Sequence, residues 1–130
     1  MAFVWTDDLN VGVEMMDHDH QEMFVVLNSL SSADDEHFLA LFDELVRLMS
    51  AHFERENELM VKHNFFAYHC HNGEHEAVLT EVRALREQAA AGSFGGARSY
   101  VESVVGPWFL NHRNTMDFVT AQFLKSVGAV

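Results

Sequence analysis

The sequence predicts an all-α protein, an up-down-up-down antiparallel four-helix bundle preceded by an extended N-terminal arm. Three observations carry that expectation. Apolar residues recur every three or four positions over most of the chain, and no segment alternates with period two. Only one proline, Pro107, interrupts the pattern. The breaks between the long periodic segments are short, which favours antiparallel neighbours.

The first dozen residues read as the arm, with Phe3, Val4 and Trp5 able to pack on the domain. The first helix is expected over about 17–30, with Phe24, Leu27 and Leu30 on one face. "SSADDE" breaks it and supplies N-cap candidates, with carboxylates suited to the next helix N-terminus. The second helix is expected over about 35–62. Its inner stripe runs through Phe38, Leu41, Phe42, Leu45, Leu48 and Met49, then His52, Glu56, Leu59 and Met60. "HNFF" ends it. The third is expected over about 67–90, with His71, His75, Val78, Val82 and Leu85 in line, and "AAGSFGG" ends it. The fourth is expected over about 98–126, with Val101, Val105, Trp108, His112, Met116, Val119 and Phe123 in line. Gly106-Pro107 falls inside it and predicts a kink, since proline removes a backbone donor and clashes with the preceding turn.

A chain of 130 residues suits a single domain with its own core. Twenty acidic residues against eight basic ones give a net charge of −12. Such a surface argues against broad electrostatic binding to nucleic acid or an anionic membrane. Cys70 is the only cysteine, so no intramolecular disulfide is expected, and a cytoplasmic location fits. "MAFVWTDDLN" lacks the basic and apolar regions of a signal peptide. We expect a monomer.

The apolar stripes contain a contradiction. His52, Glu56, His71, His75 and His112 stand in line with leucines and valines, and His20 stands in line with Phe24 and Leu27. Each buried polar group without a partner costs about 1–3 kcal/mol, and a domain has only about 5–15 kcal/mol in all. In the predicted topology all six fall toward the same half of the bundle, so they can satisfy one another around metal. His52 and Glu56 are four apart, as are His71 and His75, so each pair projects from one helix face and either chelates one ion or bridges two. Five imidazoles and a carboxylate exceed what one tetrahedral zinc needs. Nitrogen and oxygen donors without thiolate suit two first-row ions, iron foremost.

Four segments carry a family resemblance: "VGVEMMDHDH" ending in His20, "HFERENELM" with His52 and Glu56, "YHCHNGEH" with His71 and His75, and "WFLNHRNTMD" with Trp108, His112 and Asp117. Together with Trp5 in the arm, they resemble the single-domain bacterial hemerythrins over nearly the whole chain. The resemblance implies a non-haem di-iron centre that binds dioxygen reversibly, for storage, delivery or sensing, rather than an enzyme, with an oxygen- or electron-accepting protein as its partner. It implies that His71, His75 and His112 hold one iron and His20 and His52 the other, which keeps an open position. Glu56 and Asp117 would bridge the pair together with an oxo or hydroxo group. Asp117 is implied by the resemblance alone. It lies five residues after His112, about 140° around an ideal helix, so some distortion or side-chain reach must bring it in.

Trp108, Phe109, Met23, Phe24 and Phe53 are expected to wall the oxygen pocket. Where the family often has a small aliphatic residue after the histidine of Trp-x-x-x-His, this chain has Arg113. Turned inward, it would place a cation beside bound oxygen and favour a di-iron enzyme acting on peroxide or nitric oxide, or an oxidase. Its long stem favours turning it to solvent instead. Gly73, between two of the candidate ligands, either makes room for a neighbour or sits on an exposed face. His18, His37, His63 and His69 are expected outside the site, and so is Cys70.

Overall fold

The computed structural model describes residues 4–130, so the expected packing of Phe3 lies outside the described residues. The described residues are helical for most of their length and contain no strand. After a single 3-10 turn at Asp7–Leu9 come α1 (Glu14–Ser32), α2 (Asp35–Lys62) and α3 (Tyr68–Ala90). A fourth rod, 94–126, is built from α4 (Phe94–Tyr100), α5 (Gly106–His112) and α6 (Phe118–Ser126). Two π turns, Val101–Val105 and Arg113–Asp117, link its parts without leaving right-handed helical backbone. α1 packs on α2, α2 on α3 and α3 on α4, and the first π turn returns to α1.

α1 begins three residues before the expected start. Val11 and Val13 are buried, and the Asp17 carboxylate accepts the N–H groups of Val11 (2.7 Å) and Gly12 (3.1 Å). That reach back from the first turn anchors the entry of the chain, as a capping box does. Asp34 caps α2, its side chain accepting the His37 N–H at 3.0 Å. Asn64 ends α2 in the left-handed region, φ 55°, where Phe65 N–H returns to Met60 O and Asn64 N–H to Val61 O. Gly92, φ 103°, ends α3 the same way, with Ser93 N–H on Gln88 O and Gly92 N–H on Ala89 O. Both are Schellman closures, and asparagine and glycine are the residues that tolerate that backbone.

The fourth rod starts at Phe94, four residues early. Gly92 alone makes the turn; Gly95 and Gly96 are helical. Phe94 packs edge-on against Phe38, 5.9 Å between centroids, and Ala97 is fully buried, so packing outweighs the poor helix propensity of two glycines. The disturbance expected at Pro107 appears as the π turn just before it. Gly106 N–H bonds Val101 O, five residues back, and Pro107 then sits in the first turn of α5. A widened turn relieves the clash of the proline ring with the carbonyl four residues earlier.

The main apolar core joins all four rods and includes Leu27, Leu30, Phe38, Phe42, Leu45 and Val82. A second, smaller cluster consists of Val11, Val13, Met16 and Ala121. Along α1, His20 falls between Met16 of the small cluster and Met23 of the large one. The polar residues thus occupy a layer with apolar packing on either side.

Candidate metal centre

Four rods contribute to that layer. α1 supplies His20, α2 His52 and Glu56, α3 His71 and His75, and the fourth rod His112 and Asp117. Each of the seven is at most 1 % exposed. The two i,i+4 pairs project inward as their spacing requires. Asp117 arrives by another route. In the turn Arg113–Asp117 the Phe118 N–H bonds Arg113 O, five residues back. An i→i+5 turn holds more residues than an α turn, so residues five apart come nearly into line. Asp117 Oδ1 consequently lies 3.1 Å from His112 Nε2.

The seven side chains form two groups that share both carboxylates: Glu56, His71, His75, His112 and Asp117 in one, His20, His52, Glu56 and Asp117 in the other. Within each group the donor atoms lie within 4.8 Å of one another. Each carboxylate offers one oxygen to each group. Glu56 Oε1 is 3.1 Å from His75 Nε2 and 3.6 Å from His71 Nε2, while Oε2 is 3.2 Å from His52 Nε2. Asp117 Oδ1 is 3.1 Å from His71 Nε2, while Oδ2 is 3.1 Å from His20 Nε2. His112 Nε2 stands 3.1 Å from His71 Nε2 and 3.2 Å from His75 Nε2.

Those separations suit ligands around an ion. Donors about 2.1 Å from a metal and at right angles are about 3 Å apart. They suit hydrogen bonding less well. His20 Nε2, His52 Nε2, both Glu56 oxygens and Asp117 Oδ1 are buried without an aligned hydrogen-bond partner. Leaving such atoms unpaired is costly, and a cation in each group satisfies them together.

Residues 11–123 match the family described as the hemerythrin HHE cation binding domain. The chain belongs to the hemerythrin family. It is 30% identical to the bacteriohemerythrin of Ralstonia nicotianae over 124 residues, 95% of this chain and 90% of that protein. It is 28% identical to the bacteriohemerythrin of Stenotrophomonas maltophilia, over 95% of this chain and 82% of the relative. The myohemerythrin of Riftia pachyptila is 25% identical, over 89% of this chain and 88% of its own.

In this hemerythrin four imidazoles are held from behind. With Nε2 turned to the centre, Nδ1–H is the donor. His71 donates to Thr120 Oγ1 (2.7 Å) and His112 to Glu74 Oε1 (2.9 Å). His75 donates to Asn57 Oδ1 (3.3 Å), and Asn57 is held in turn by Asn72. His52 donates to Asp19 Oδ2 (2.8 Å), which Arg55 also contacts through Nε (3.0 Å) and Nη2 (2.8 Å). Such partners fix ring orientation and raise ligand basicity. Sequence reasoning missed all of them. Asp19 and Asn57 each adjoin a candidate ligand, which is the available signal. Thr120 becomes visible only once the π turn has reset the helix phase.

Without metal the charges are strongly perturbed. Burial opposes protonation of His52, but Glu56 and the Asp19 hydrogen bond overcome it and raise its pKa to about 10. Burial opposes protonation of His71 too, and Asp117 and Glu56 raise it to about 9. Burial pushes both Glu56 and Asp117 upward, and Asp117 pushes Glu56 further, yet the surrounding histidines hold both below the usual carboxylate range. Burial lowers His75, with Glu56 opposing.

The expected pocket residues divide. Phe53 stacks on His75 at 3.9 Å and Trp108 on His112 at 4.6 Å. Phe109 meets His20 edge-on at 5.2 Å and Phe24 at 5.3 Å. Met23 is fully buried in the adjoining core. Arg113 points neither inward nor to open solvent: its guanidinium bonds the carbonyls of Asp8, Asn10 and Leu9. A Cβ at Gly73 would meet nothing within 4 Å, so that glycine makes no room for a neighbour. His18, His37, His69 and Cys70 are exposed, His63 is half-buried, and none belongs to either buried group.

Proposed function

We propose that this chain holds two iron ions and binds dioxygen reversibly, for storage, delivery or sensing. The supporting observation is the pair of carboxylates that each direct one oxygen to each donor group. His71, His75 and His112 would hold one ion, and His20 and His52 the other. Glu56 and Asp117 would bridge them, with a solvent-derived oxo or hydroxo group. The bound ions would supply the electrons that dioxygen takes up on binding and returns on release. The chain's own work is to orient the imidazoles from behind, to keep water out with Phe24, Phe53, Trp108 and Phe109, and to leave one group with only two imidazoles. The bacteriohemerythrins and the myohemerythrin named above support this assignment by kinship. So does the short-looped helical architecture, which we read as one up-down-up-down bundle. Arg113 was the residue that would have favoured an enzyme, and it is committed to backbone carbonyls instead. Among the described residues no helix is long and apolar enough to cross a membrane. We read the chain as a cytoplasmic monomer.

Anaerobic loading with ferrous iron should give two ions per chain. Admitting dioxygen should then produce an absorption spectrum that reverts when the gas is removed. One ion per chain, or oxidation that does not reverse, would reject the proposal.

Metal uptake should also release protons. His52, raised to about 10, and His71, raised to about 9, carry protons at neutral pH in the metal-free protein, and a metal must displace them. Affinity for ferrous iron should therefore tighten as pH rises from about 6.5 toward 9. The same raised values stabilise the metal-free fold fully below the ordinary histidine pKa of 6.5, and that contribution is lost as pH rises through about 9 to 10. Anaerobic titrations at several pH values check this, and a flat profile counts against it.

A further inference from the structure

His20 is unlike the other four imidazoles. It is fully buried, and its Nδ1 has no hydrogen-bond partner among the described residues. Its Nε2 faces Asp117 Oδ2 at 3.1 Å, but behind the ring only packing holds it. The walls are His52 at 4.9 Å, Phe109 at 5.2 Å and Trp5 at 6.4 Å between centroids. Two of those walls stand on helices. Trp5 does not: it lies on the strap of residues 5–10, edge-on to Phe24 at 5.3 Å.

Among the described residues Arg113 of the fourth rod ties down the strap, and Lys125 Nζ of the same rod holds Val11 O at 3.0 Å just beyond it. Arg113 Nε donates to Leu9 O at 2.6 Å, and Nη2 donates to Asp8 O at 2.9 Å and Asn10 O at 2.7 Å. These carbonyls end the Asp7–Leu9 turn, where the helix supplies no donors of its own. A planar guanidinium can serve three of them at once. Beyond the latch, Val11 and Val13 are buried and Gly12 has φ 85°, so the strap has a fixed base.

We infer that Arg113 is a positioning residue for His20, acting through the strap and Trp5. This rests on the two-iron reading above. Releasing the latch frees Trp5, Trp5 ceases to confine the His20 ring, and the ion of the two-imidazole group leaves faster. The other group, whose three imidazoles have hydrogen-bonded partners, is unaffected.

Two measurements on Arg113→Gln, Trp5→Ala and the double variant test this. The first is amide exchange in the metal-free protein. Leu9 and Asn10 N–H groups bond Thr6 O and Asp7 O in the unmutated chain. Their exchange should accelerate about ten-fold or more in Arg113→Gln, with α2 amides unchanged as the folding control. The second is anaerobic extraction from the two-iron protein by a ferrous chelator, expected in two steps. The fast step should accelerate about ten-fold in either single variant, with the slow step unchanged. The double variant should be no faster than the singles, because the residues act in series, and Trp5→Phe should restore most of the wild-type rate. Unchanged exchange removes the latch. Equal acceleration of both steps, or multiplying effects in the double variant, shows general loosening and overturns the role. Fewer than two ions in the unmutated protein defeats the two-iron reading and the inference with it. That failure is distinguishable because the exchange readout needs no metal.

Discussion

Glu56→Ala is expected to leave the protein unable to hold two metal ions. Glu56 Oε2 faces His52 and Oε1 faces His75, so the substitution takes a donor from both groups. It also removes the largest influence sustaining the charge on His52. Breaking a buried pair on one side costs about 3–5 kcal/mol, because the remaining charge is left uncompensated. Each 1.4 kcal/mol is a factor of ten, so affinity should fall by about a hundred-fold or more. Iron counting and competition titration should find at most one ion per chain. His20→Ala, by contrast, removes a donor from one group only and should spare the three-imidazole group. Two ions held by Glu56→Ala with unchanged affinity would disprove the sharing of that carboxylate.

The second large effect is on stability. Loading both sites should raise the unfolding midpoint by about 10–20 °C. A ligand present at about a thousand times its dissociation constant stabilises by about 4 kcal/mol, and one kcal/mol is worth about 3–5 °C in a domain of this size. The metal-free protein should remain helical, since Phe38, Phe42, Leu45 and Val82 pack away from the polar layer. It should nevertheless unfold earlier, because several buried atoms in that layer lack aligned partners. Calorimetry with and without chelator measures the difference, and coincident midpoints would contradict a metal role for the layer.

Much of this was legible before the structure. Six of the seven buried donors stand on regular helical stripes, where apolar periodicity makes a histidine or glutamate conspicuous. Helix ends written in residues that take left-handed backbone or cap helices, Asn64, Gly92 and Asp34, were legible for the same reason. The fourth rod was harder. Gly95 and Gly96 look like a break, but Phe94 and Ala97 have partners in the core that a local reading does not see. Asp117 needed the family resemblance, because ideal spacing turns it away. The supporting hydrogen bonds were invisible for a different reason. Thr120 reaches His71 across 49 positions and Glu74 reaches His112 across 38, and no local pattern encodes such a pairing.

The turn Arg113–Asp117 has a consequence for anyone wishing to transplant this centre. Copying the seven donor identities onto a set of straight, idealised helices would reproduce six of them. The seventh would emerge on the flank, and both compartments would lose a common wall. What must be copied is a local change of winding, one surplus residue accommodated between His112 and Phe118. Forcing the same residues into regular winding would rotate every later position of the rod by about 100°, Thr120 included. The chemistry of the layer thus depends on a defect in helical regularity as much as on the residues that line it.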